Sequence, residues 1–374
     1  MINTGNSHRI AIFTPSLAAG GAERISVNIA NGLSEKGLEV DLIAAMPDDD
    51  FSQDVSNHVN VFHLDAKRVI TSIPALSMYL RRARPKVLLS SQTHANLVAI
   101  WANMIAGGPS RVAICEHFNI SRRDNISSNH REIILPWFAA KFYPRADRII
   151  SVSEGVARDL SVTANIPFEQ IQVIYNPVVD LNLVEQSLAV PAHSWFGEGM
   201  LPVILGVGRL TTQKRFDILI RAFEIVLKKR DARLLILGEG EERGNLENLI
   251  KQLGLEDVVD LNGFEANPYA YMKRASVFVL SSAAEGLPTA LIEAMACGVP
   301  VVSTDCPSGP SEILESGRFG RLVAVGDVQA MADTIEDILE SPPDVTTARI
   351  RAMDFSIEQG VSKYYEMLME LISK

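Results

Sequence analysis

Strand-like and helix-like runs alternate along the chain, and this alternation constrains the fold more than any other feature. Short runs, mostly rich in β-branched residues and bounded by turn residues, predict strands at Arg9–Pro15, Val40–Met46, Val59–Leu64, Val87–Gln92, Arg111–His117, Arg148–Ser153 and Gln172–Asn176. Helical patterns separate most of them, at Ala22–Lys36, Ile73–Arg84, Ala95–Ala106, His130–Tyr143 and Glu154–Ala164. Such alternation predicts a parallel, doubly wound sheet.

The second half of the chain repeats the pattern. Its predicted strands are Val203–Gly208, Arg233–Gly238, Val258–Gly263, Val277–Ser282, Pro300–Thr304 and Arg321–Val325. Its predicted helices are Phe216–Lys229, Arg243–Leu253, Pro268–Arg274, Pro288–Cys297, Ser311–Ser316 and Val328–Glu340. A chain of 374 residues suits two domains of about 150–200 residues each. We therefore predict an α/β protein with two Rossmann-like, doubly wound domains.

The domain boundaries follow from where the periodicity stops. Residues 1–178 form the predicted first domain, 179–201 an aperiodic linker and 202–354 the second domain. Residues 355–374 include an amphipathic helix that comes after the second sheet is complete, so we expect it to pack on the first domain. Two such domains leave a cleft between the carboxyl ends of their strands, where ligands of these sheets bind. Unusual residues at strand ends are therefore the candidates for function.

Composition limits the class of protein. Apolar residues make up 47% and charged residues 21% of the chain, which is usual for a soluble globular protein. The N-terminal MINTGNSHRI has no apolar core typical of a signal peptide, and Leu97–Gly108 is shorter than the roughly 20 residues that span a bilayer. Cys115, Cys297 and Cys306 are predicted to be reduced thiols. We expect a cytoplasmic protein.

Charge is unevenly distributed. The net charge is −10, yet residues 1–179 carry 17 bases and 16 acids, and residues 66–115 contain no acid. The bases of that segment are Lys67, Arg68, Arg81, Arg82, Arg84, Lys86 and Arg111. This segment predicts a face for an anionic surface, although solvated helix ends are the alternative. Nucleic acid is disfavoured, because the protein is acidic and basic residues do not alternate with aromatic ones.

Two positions in the first half combine a strand end with suitable chemistry. Gly20 and Gly21 stand between the first strand and its helix, where backbone N–H groups favour an anion. The segment matches neither a dinucleotide fingerprint nor a P-loop, so an ordinary tight turn is the alternative. His117 ends another strand and is either structural or catalytic; its predicted place at the cleft favours function.

In the second half, Arg209 and Lys214 flank the loop after the first strand. Two cations there could neutralise a diphosphate without metal, with solvated side chains as the alternative. Gly238, Gly263 and Phe264 end two further strands. They predict close backbone contact with a nucleotide base, or else simple turns.

The segment EGLPTALIEAMACG places two carboxylates in an apolar setting. Pro288 suits the first helical position and Gly298 the position after the helix, which puts Glu285 in the loop and Glu293 in the second turn. Eight residues return to within about 80° on a helix, so both can line one wall of a site. A buried Glu293 needs a partner, either ribose hydroxyls or a structural arginine. Amides of Gly286 and Leu287 suit a phosphate or sugar oxygen.

No residue set predicts a metal site. Asp48 and Asp50 form an Asp-x-Asp pattern that could hold Mg²⁺, but we interpret them as a solvated loop. Histidines are scattered and the cysteine spacing fits no zinc site.

Taken in order, AAGGAER, Glu116–His117, GRLTTQKRFD, LGEGEE and EGLPTALIEAMACGVPVVSTDCPSGPSEIL resemble family 4 of the retaining glycosyltransferases, which have the GT-B fold. The resemblance covers nearly the whole chain and is strongest from Gly206 to Leu314. It implies that Gly20 and Gly21 lie by the donor phosphates, His117 by the donor sugar, and Arg209 and Lys214 by the diphosphate. It also implies that Glu285 faces the sugar, that Glu293 binds the ribose, and that Gly238, Gly263, Phe264, Gly286, Leu287, Pro288 and Thr289 complete the donor site.

The resemblance implies transfer of a hexose or N-acetylhexosamine, with retention and without metal, from a nucleoside diphosphate sugar, UDP-linked, to a glycan hydroxyl. STDCPSGPSEIL is most similar to members that build lipid-linked oligosaccharide, O-antigen or capsule. A polyprenyl-diphosphate acceptor at the inner face of the membrane would explain the basic segment and Trp137, Phe138, Lys141 and Arg145. The residues Ser281–Ala284 depart from the family, in which many members carry an aromatic residue shortly before the glutamate.

Other functions remain open at this stage. A nucleotide-sugar 2-epimerase would share the fold and the nucleotide site, but it needs further acid–base carboxylates. A non-catalytic nucleotide-sugar binding protein is disfavoured by the four charged candidates occurring together. A phosphorylase would need a lysine motif for pyridoxal phosphate, and none is clear.

Overall fold

The computed structural model describes residues 8–18, 20–48, 50–121 and 134–373. They divide into two compact units, Met1–Val178 with Ile357–Lys374, and Val179–Ser356. Each unit is built around one parallel sheet. The beginning of the predicted helix His130–Tyr143 lies outside the described residues.

The first unit contains a seven-stranded sheet. The strands are β1 (Arg9–Thr14), β2 (Glu39–Ala44), β3 (Val59–His63), β4 (Val87–Ser91), β5 (Arg111–Glu116), β6 (Arg148–Ser151) and β7 (Ile171–Val173). Successive strands are added first on one side of β1 and then, from β4 onward, on its other side. Their order is β3-β2-β1-β4-β5-β6-β7, and all neighbours are parallel. Ile12 pairs with Leu42 on one side and Leu89 on the other. The order reverses between β1 and β4, so their carboxyl ends form the switch point where such sheets bind ligands.

Helices connect most of these strands, as predicted. They are α1 (Gly21–Glu35), α2 (Ile73–Ala83), α3 (Thr93–Ala106), α4 (Leu135–Phe142) and α5 (Glu154–Thr163). The Ser153 side chain begins α5 by accepting a hydrogen bond from the backbone N–H of Val156 at 3.2 Å, a typical N-cap. The helix α3 is apolar around most of its surface and is largely buried, in keeping with its place between α2 and β5.

The second unit repeats the topology with six strands. These are β8 (Val203–Val207), β9 (Arg233–Leu237), β10 (Val259–Gly263), β11 (Val277–Leu280), β12 (Val301–Thr304) and β13 (Arg321–Val323). Their order is β10-β9-β8-β11-β12-β13, and all neighbours are parallel. Leu205 pairs with Leu235 and Phe278, so the switch point lies between β8 and β11. The prediction of two doubly wound α/β units is confirmed.

The helices of the second unit are α6 (Leu181–Ser187), α7 (Phe216–Leu227), α8 (Arg243–Leu253), α9 (Pro268–Arg274), α10 (Thr289–Cys297), α11 (Pro310–Ile313), α12 (Val328–Glu340) and α13 (Thr346–Ala352). Helix α10 begins one residue later than predicted: Pro288 is extended, with φ −68° and ψ 107°, and Thr289 is the first helical residue. Gly298 ends α10 in the left-handed conformation with φ 77°, as expected for a residue that follows a helix.

The segment predicted as a linker belongs to the second unit. Asp180 caps α6 by accepting a hydrogen bond from the Leu183 backbone at 2.8 Å, and α6 packs on α9. Further along, His193 lies 2.9 Å from Asp260 of β10. The helix has seven residues and stands in a segment of mixed polarity that shows no clear period in the sequence.

The C-terminal helix α14 (Ile357–Ser373) packs on the first unit, chiefly against α1. Gly32 permits this contact, because a Cβ atom there would lie 2.6 Å from a methyl group of Val361. Tyr364 is fully buried, with its hydroxyl 3.4 Å from the Cys115 sulfur, and Arg148 forms an ion pair with Glu370 at 2.9 Å. In the described part of the chain, no helix is both long and apolar enough to cross a membrane.

Candidate functional site

Hydrogen bonds join the loops after β8 and β11 at the switch point of the second sheet. The backbone N–H of Ala283 donates to the Gln213 carbonyl at 2.8 Å, and the Gln213 amide donates to the Ala284 carbonyl at 2.7 Å. The Ser281 hydroxyl donates to the Lys214 carbonyl at 2.7 Å. The two loops that carry the predicted cations and carboxylate are thus held in one fixed arrangement.

Lys214 and Glu285 form a buried ion pair within this arrangement. Lys214 Nζ lies 2.6 Å from Glu285 Oε1, and Ser282 Oγ donates to the same oxygen at 2.6 Å. Only 6% of Glu285 is exposed, so its charge needs these partners. The lysine stem crosses Gly208, where a Cβ atom would lie 3.2 Å from Lys214 Cε. Sequence reasoning found the lysine and the glutamate and missed Gln213, Ser281 and Ser282, although a Ser-Ser pair ending an apolar strand was a signal.

Arg209, the other predicted cation, is exposed at the end of β8. Its guanidinium forms no hydrogen bond or ion pair with the residues that the structure describes. An arginine in this state retains all five N–H donors for an anion. The end of β8 therefore combines one available cation with one that is paired to a carboxylate.

Gly238 and Gly263 are required by the packing of neighbouring loops. Gly238 has φ 143°, and a Cβ atom there would overlap the Gly208 carbonyl. Gly263 has φ 90°, and its carbonyl accepts a hydrogen bond from the Gly238 backbone at 2.7 Å. Phe264, which follows, is exposed. The turn requirement explains both glycines, and their contact with a nucleotide stays a prediction.

The loop from Glu285 to Pro288 is supported from the segment after β12. Gly309 has φ 93°, and a Cβ atom there would lie 2.5 Å from Pro288 Cδ and 3.0 Å from the Gly286 carbonyl. Gly286 and Leu287 are buried, and Thr289 opens α10. Glu293 lies partly buried in the second turn of α10, as predicted from the sequence.

Two cysteine thiols near these glutamates are held neutral. Burial, together with the nearby Glu285 carboxylate, raises the pKa of Cys306 to about 12. Burial raises the pKa of Cys297 to about 12 in the same way, with a contribution from Glu293. Neither thiol is therefore an anion near neutral pH.

The switch point of the first sheet carries Gly20 and Gly21. The Glu23 carboxylate folds back over Gly20, where a Cβ atom would overlap it, and accepts a hydrogen bond from the Gln92 amide at 2.6 Å. Gln92 has φ 76°, a conformation that L-residues rarely adopt. No sequence pattern predicted it. The N-terminus of α1 thus faces a carboxylate of its own chain, and donor phosphate contact at Gly20 and Gly21 stays a prediction.

His117 directly follows β5 and is partly buried. The residue before it, Glu116, is fully buried and accepts hydrogen bonds from Thr93 at 2.9 Å, Asn96 at 3.0 Å and the Tyr143 hydroxyl. Both Thr93 and Asn96 lie in the first turns of α3, whose dipole also favours a carboxylate there. Sequence reasoning noted Glu116 as part of a motif but missed this network.

The basic segment does not form a single face. Arg81 and Arg82 end α2, Arg84 and Lys86 precede β4, and Arg111 begins β5. These five therefore lie toward the end of the sheet at which the strands begin, here called its amino edge. Lys67 and Arg68 follow β3 and lie toward the opposite edge. The exposed Trp137 on α4 has the Lys141 ammonium 4.7 Å from its ring centre.

Asp48 and Asp50 are exposed, as expected for a solvated loop. The Asp48 carbonyl accepts a hydrogen bond from the Leu17 backbone at 2.9 Å. Over the described ranges, no three histidine, cysteine or acidic side chains come together as a metal site would require.

Two Rossmann-like units with this strand order are the architecture of the GT-B class of folds. Solved structures of that class cover nearly all of the chain. Anabaena HepE in complex with UDP is 23% identical, with a TM-score of 0.75 over 97% of this chain and 100% of HepE. Sucrose-phosphate synthase from Thermosynechococcus elongatus is 20% identical, with a TM-score of 0.83 over 98% and 99% of the two chains. The expected GT-B fold is confirmed.

Sequence comparisons identify the family. A model of Glycosyltransferase Family 4 matches residues 19–180, and one of Glycosyl transferases group 1 matches residues 196–353. The Campylobacter jejuni N-acetylgalactosamine-N,N'-diacetylbacillosaminyl-diphospho-undecaprenol 4-alpha-N-acetylgalactosaminyltransferase is 30% identical over 89% of this chain and 90% of that protein. The lipopolysaccharide core biosynthesis glycosyltransferase LpsE of Rhizobium meliloti is 28% identical over 86% of each chain. The chain belongs to glycosyltransferase family 4, as the resemblance indicated.

Proposed function

We propose that the protein transfers a hexose or N-acetylhexosamine, with retention, from a UDP-linked sugar to a hydroxyl of a glycan carried on polyprenyl diphosphate. The pathway we propose is assembly of cell-surface polysaccharide at the cytoplasmic face of the membrane. The observation that carries the proposal is the buried Lys214–Glu285 pair beside the available Arg209 at the switch point. The Campylobacter jejuni relative, whose name specifies a diphospho-undecaprenol glycan, supports the acceptor class, and HepE, solved with UDP, supports the nucleotide.

Departure of the diphosphate is the difficult step, and positive side chains at the site make it easier. As the bond from the sugar to the phosphate oxygen lengthens, negative charge grows on the diphosphate. Arg209 and Lys214 stabilise this charge, and donors fixed in advance act without reorganisation. The acceptor hydroxyl forms the new bond on the same face, and the leaving phosphate oxygen takes its proton. Glu285 holds a sugar hydroxyl, and Glu293 holds the ribose.

The cations at the diphosphate replace a metal ion in this proposal. Two positive side chains at one strand end supply the charge that Mg²⁺ provides in other nucleotide sites. The exposed Asp48 and Asp50 then have no part in the reaction.

The test is transfer by the wild-type protein, followed by NMR, with a panel of UDP-sugars and lipid-linked glycan acceptors. We expect a product with the anomeric configuration of the donor, formed equally in excess EDTA. Turnover of the UDP-sugar without acceptor would support the epimerase instead. Loss of transfer in EDTA, restored by Mg²⁺, would overturn the metal-independent mechanism and point to Asp48 and Asp50. Donor binding without turnover for every acceptor would support a non-catalytic binding protein.

We also propose that the amino edge of the first sheet contacts an anionic membrane. Arg82, Arg84 and Lys86 are exposed there, and so are the apolar Met104 and Ile105 at the end of α3. Arg81 ties the ends of α2 and α3 together by donating to the Ile105 carbonyl at 2.5 Å. Basic and apolar side chains together suit the boundary of anionic headgroups and lipid chains.

A further inference from the structure

We propose that Ser282 is a positioning residue that fixes the rotation of the Glu285 carboxylate, so that one chosen oxygen meets a sugar hydroxyl. The inference rests on the proposed function, since it takes Glu285 to contact the donor sugar. What it adds is a residue that acts through Glu285 and that the family motif does not include. The carrying observation is an unequal distribution of hydrogen bonds over the two carboxylate oxygens.

One oxygen of Glu285 is fully engaged. Oε1 accepts from Lys214 Nζ and from Ser282 Oγ, each at 2.6 Å. Oε2 accepts no hydrogen bond from any residue that the structure describes. It retains access to solvent. A carboxylate oxygen offers about two lone-pair sites, and those of Oε2 are available to hydroxyl donors of a ligand.

Ser282 is well placed to impose this asymmetry. It is fully buried, and its carbonyl oxygen accepts a hydrogen bond from Thr304 Oγ1 at 2.5 Å. Thr304 ends β12, the strand beside β11, so the serine backbone is tied to the sheet itself. Lys214 alone sits on a long flexible stem and would leave the carboxylate free to rotate. The short serine side chain on a fixed backbone removes that freedom.

The ligand chemistry follows from the geometry. Oε2 is an acceptor with a negative charge, in a residue that is 94% buried, so it favours a neutral hydroxyl donor and repels phosphate. A sugar hydroxyl fits this requirement. The negatively charged diphosphate is instead bound by the positive side chains of Arg209 and Lys214. Ser282 thereby contributes to the choice of sugar without touching it.

The experiment is steady-state transfer by Ser282→Ala, with UDP affinity measured by calorimetry. We expect kcat to fall about 10- to 100-fold, the range seen when a group that orients a catalytic side chain is removed. UDP affinity should stay the same, because Arg209 and Lys214 are intact. The matched control is Ser187→Ala in α6, which deletes a buried hydroxyl of the same unit that bonds a helix carbonyl at 2.7 Å. It should change thermal stability alone.

A double variant separates positioning from general support of the fold. In a Glu285→Gln background, Ser282→Ala should cause little further loss, because both changes act on one contact. Full additivity of the two losses, or wild-type kcat in Ser282→Ala, would overturn the proposal. If the wild-type protein transfers no sugar at all, the proposed function fails first. Ser282 is then tested by binding: the variant must lose affinity for a UDP-sugar and keep its affinity for UDP, and equal losses would refute the positioning role.

Discussion

At the scale of single residues, Glu285 shows how the structure supports a charge in a place with little water. Desolvation penalises a carboxylate unless hydrogen bonds and an opposite charge compensate. Lys214 and Ser282 supply both, and the Lys214 stem passes close over Gly208 on its way to Glu285. A side chain at position 208 would crowd the lysine, so this glycine serves the ion pair as much as the strand end.

The cysteines give a prediction that depends on pH. Burial raises the pKa of Cys115, Cys297 and Cys306 to about 12 each. We expect no reaction of the native protein with dithionitrobenzoate at pH 8, and reaction of the three thiols in urea, because the thiolate is the reactive form. One thiol reacting rapidly in the native state would show that its site is open to solvent.

The same pKa values fix the sign of a stability effect. An unfolded thiol loses its proton near pH 9, whereas the folded thiols keep theirs to about 12. Their contribution is therefore complete below pH 9 and is lost as pH rises through 12, by up to about 1.4 kcal/mol per pH unit for each thiol. The slope of unfolding free energy against pH should be smaller in Cys297→Ala than in the wild type. Equal slopes would contradict the raised pKa of Cys297.

Sequence reasoning reached some residues of the site and missed others for a physical reason. Lys214 and Glu285 stand in recognisable motifs, and the structure joins them. Ser282 acquires its role only from the orientation of the Glu285 carboxylate, and Gln92 is unusual only in its backbone φ of 76°. The Ser-Ser pair at the end of an apolar strand is visible in the sequence, but neither the carboxylate orientation nor the backbone φ is encoded in residue type or spacing.

At the scale of elements, strand and helix periods were sufficient to predict most of the fold. Buried parallel strands such as β8 read as continuous apolar runs, and α12 shows a clear helical period. The short helices α6 and α13 were missed, whereas α9, of the same length, was predicted with a start at Pro268, a residue that suits the first helical position. Strand order was not predictable from these patterns, and it determines which loops meet at each switch point.

The ends of α2 and α3 give a prediction about membrane contact. We expect the protein to sediment with phosphatidylglycerol vesicles and not with phosphatidylcholine vesicles at low salt. Arg82→Glu with Arg84→Glu should reduce this binding, because each base near an anionic surface contributes about 1 kcal/mol. The matched control is Lys228→Glu with Lys229→Glu, which reverses the charge of two exposed lysines in the second unit. Equal sedimentation of both variants with the wild type would contradict the proposed surface.

At the scale of the whole molecule, the chain uses one topology twice for different chemistry. Both sheets reverse their strand order once, so each unit presents a switch point. In the second unit that point holds a buried ion pair beside an available arginine. In the first unit it holds a glutamate bonded to a strained glutamine, a few residues from the Glu116 network. We propose separate roles for the units, with donor binding chiefly in the second and acceptor binding in the first.

The C-terminal helix α14 follows the second unit in sequence but belongs to the first. After completing the second unit the chain returns to the first, where Gly32 and Val361 bring α1 and α14 into close contact. Amphipathic character predicted that the helix needed a surface, but only the structure identifies Gly32 as the residue that permits the approach.

The most direct test of the central claim compares Lys214→Ala with Lys229→Ala in the transfer assay. Lys229 is an exposed lysine of the same unit that pairs with Asp333 at 3.3 Å, so its loss removes the same charge away from the site. We predict that Lys214→Ala lowers kcat/KM about 10²- to 10³-fold and remains folded, while Lys229→Ala retains full activity. Wild-type kcat/KM in a folded Lys214→Ala protein, with a donor that the wild type uses, would contradict the assignment of the donor site.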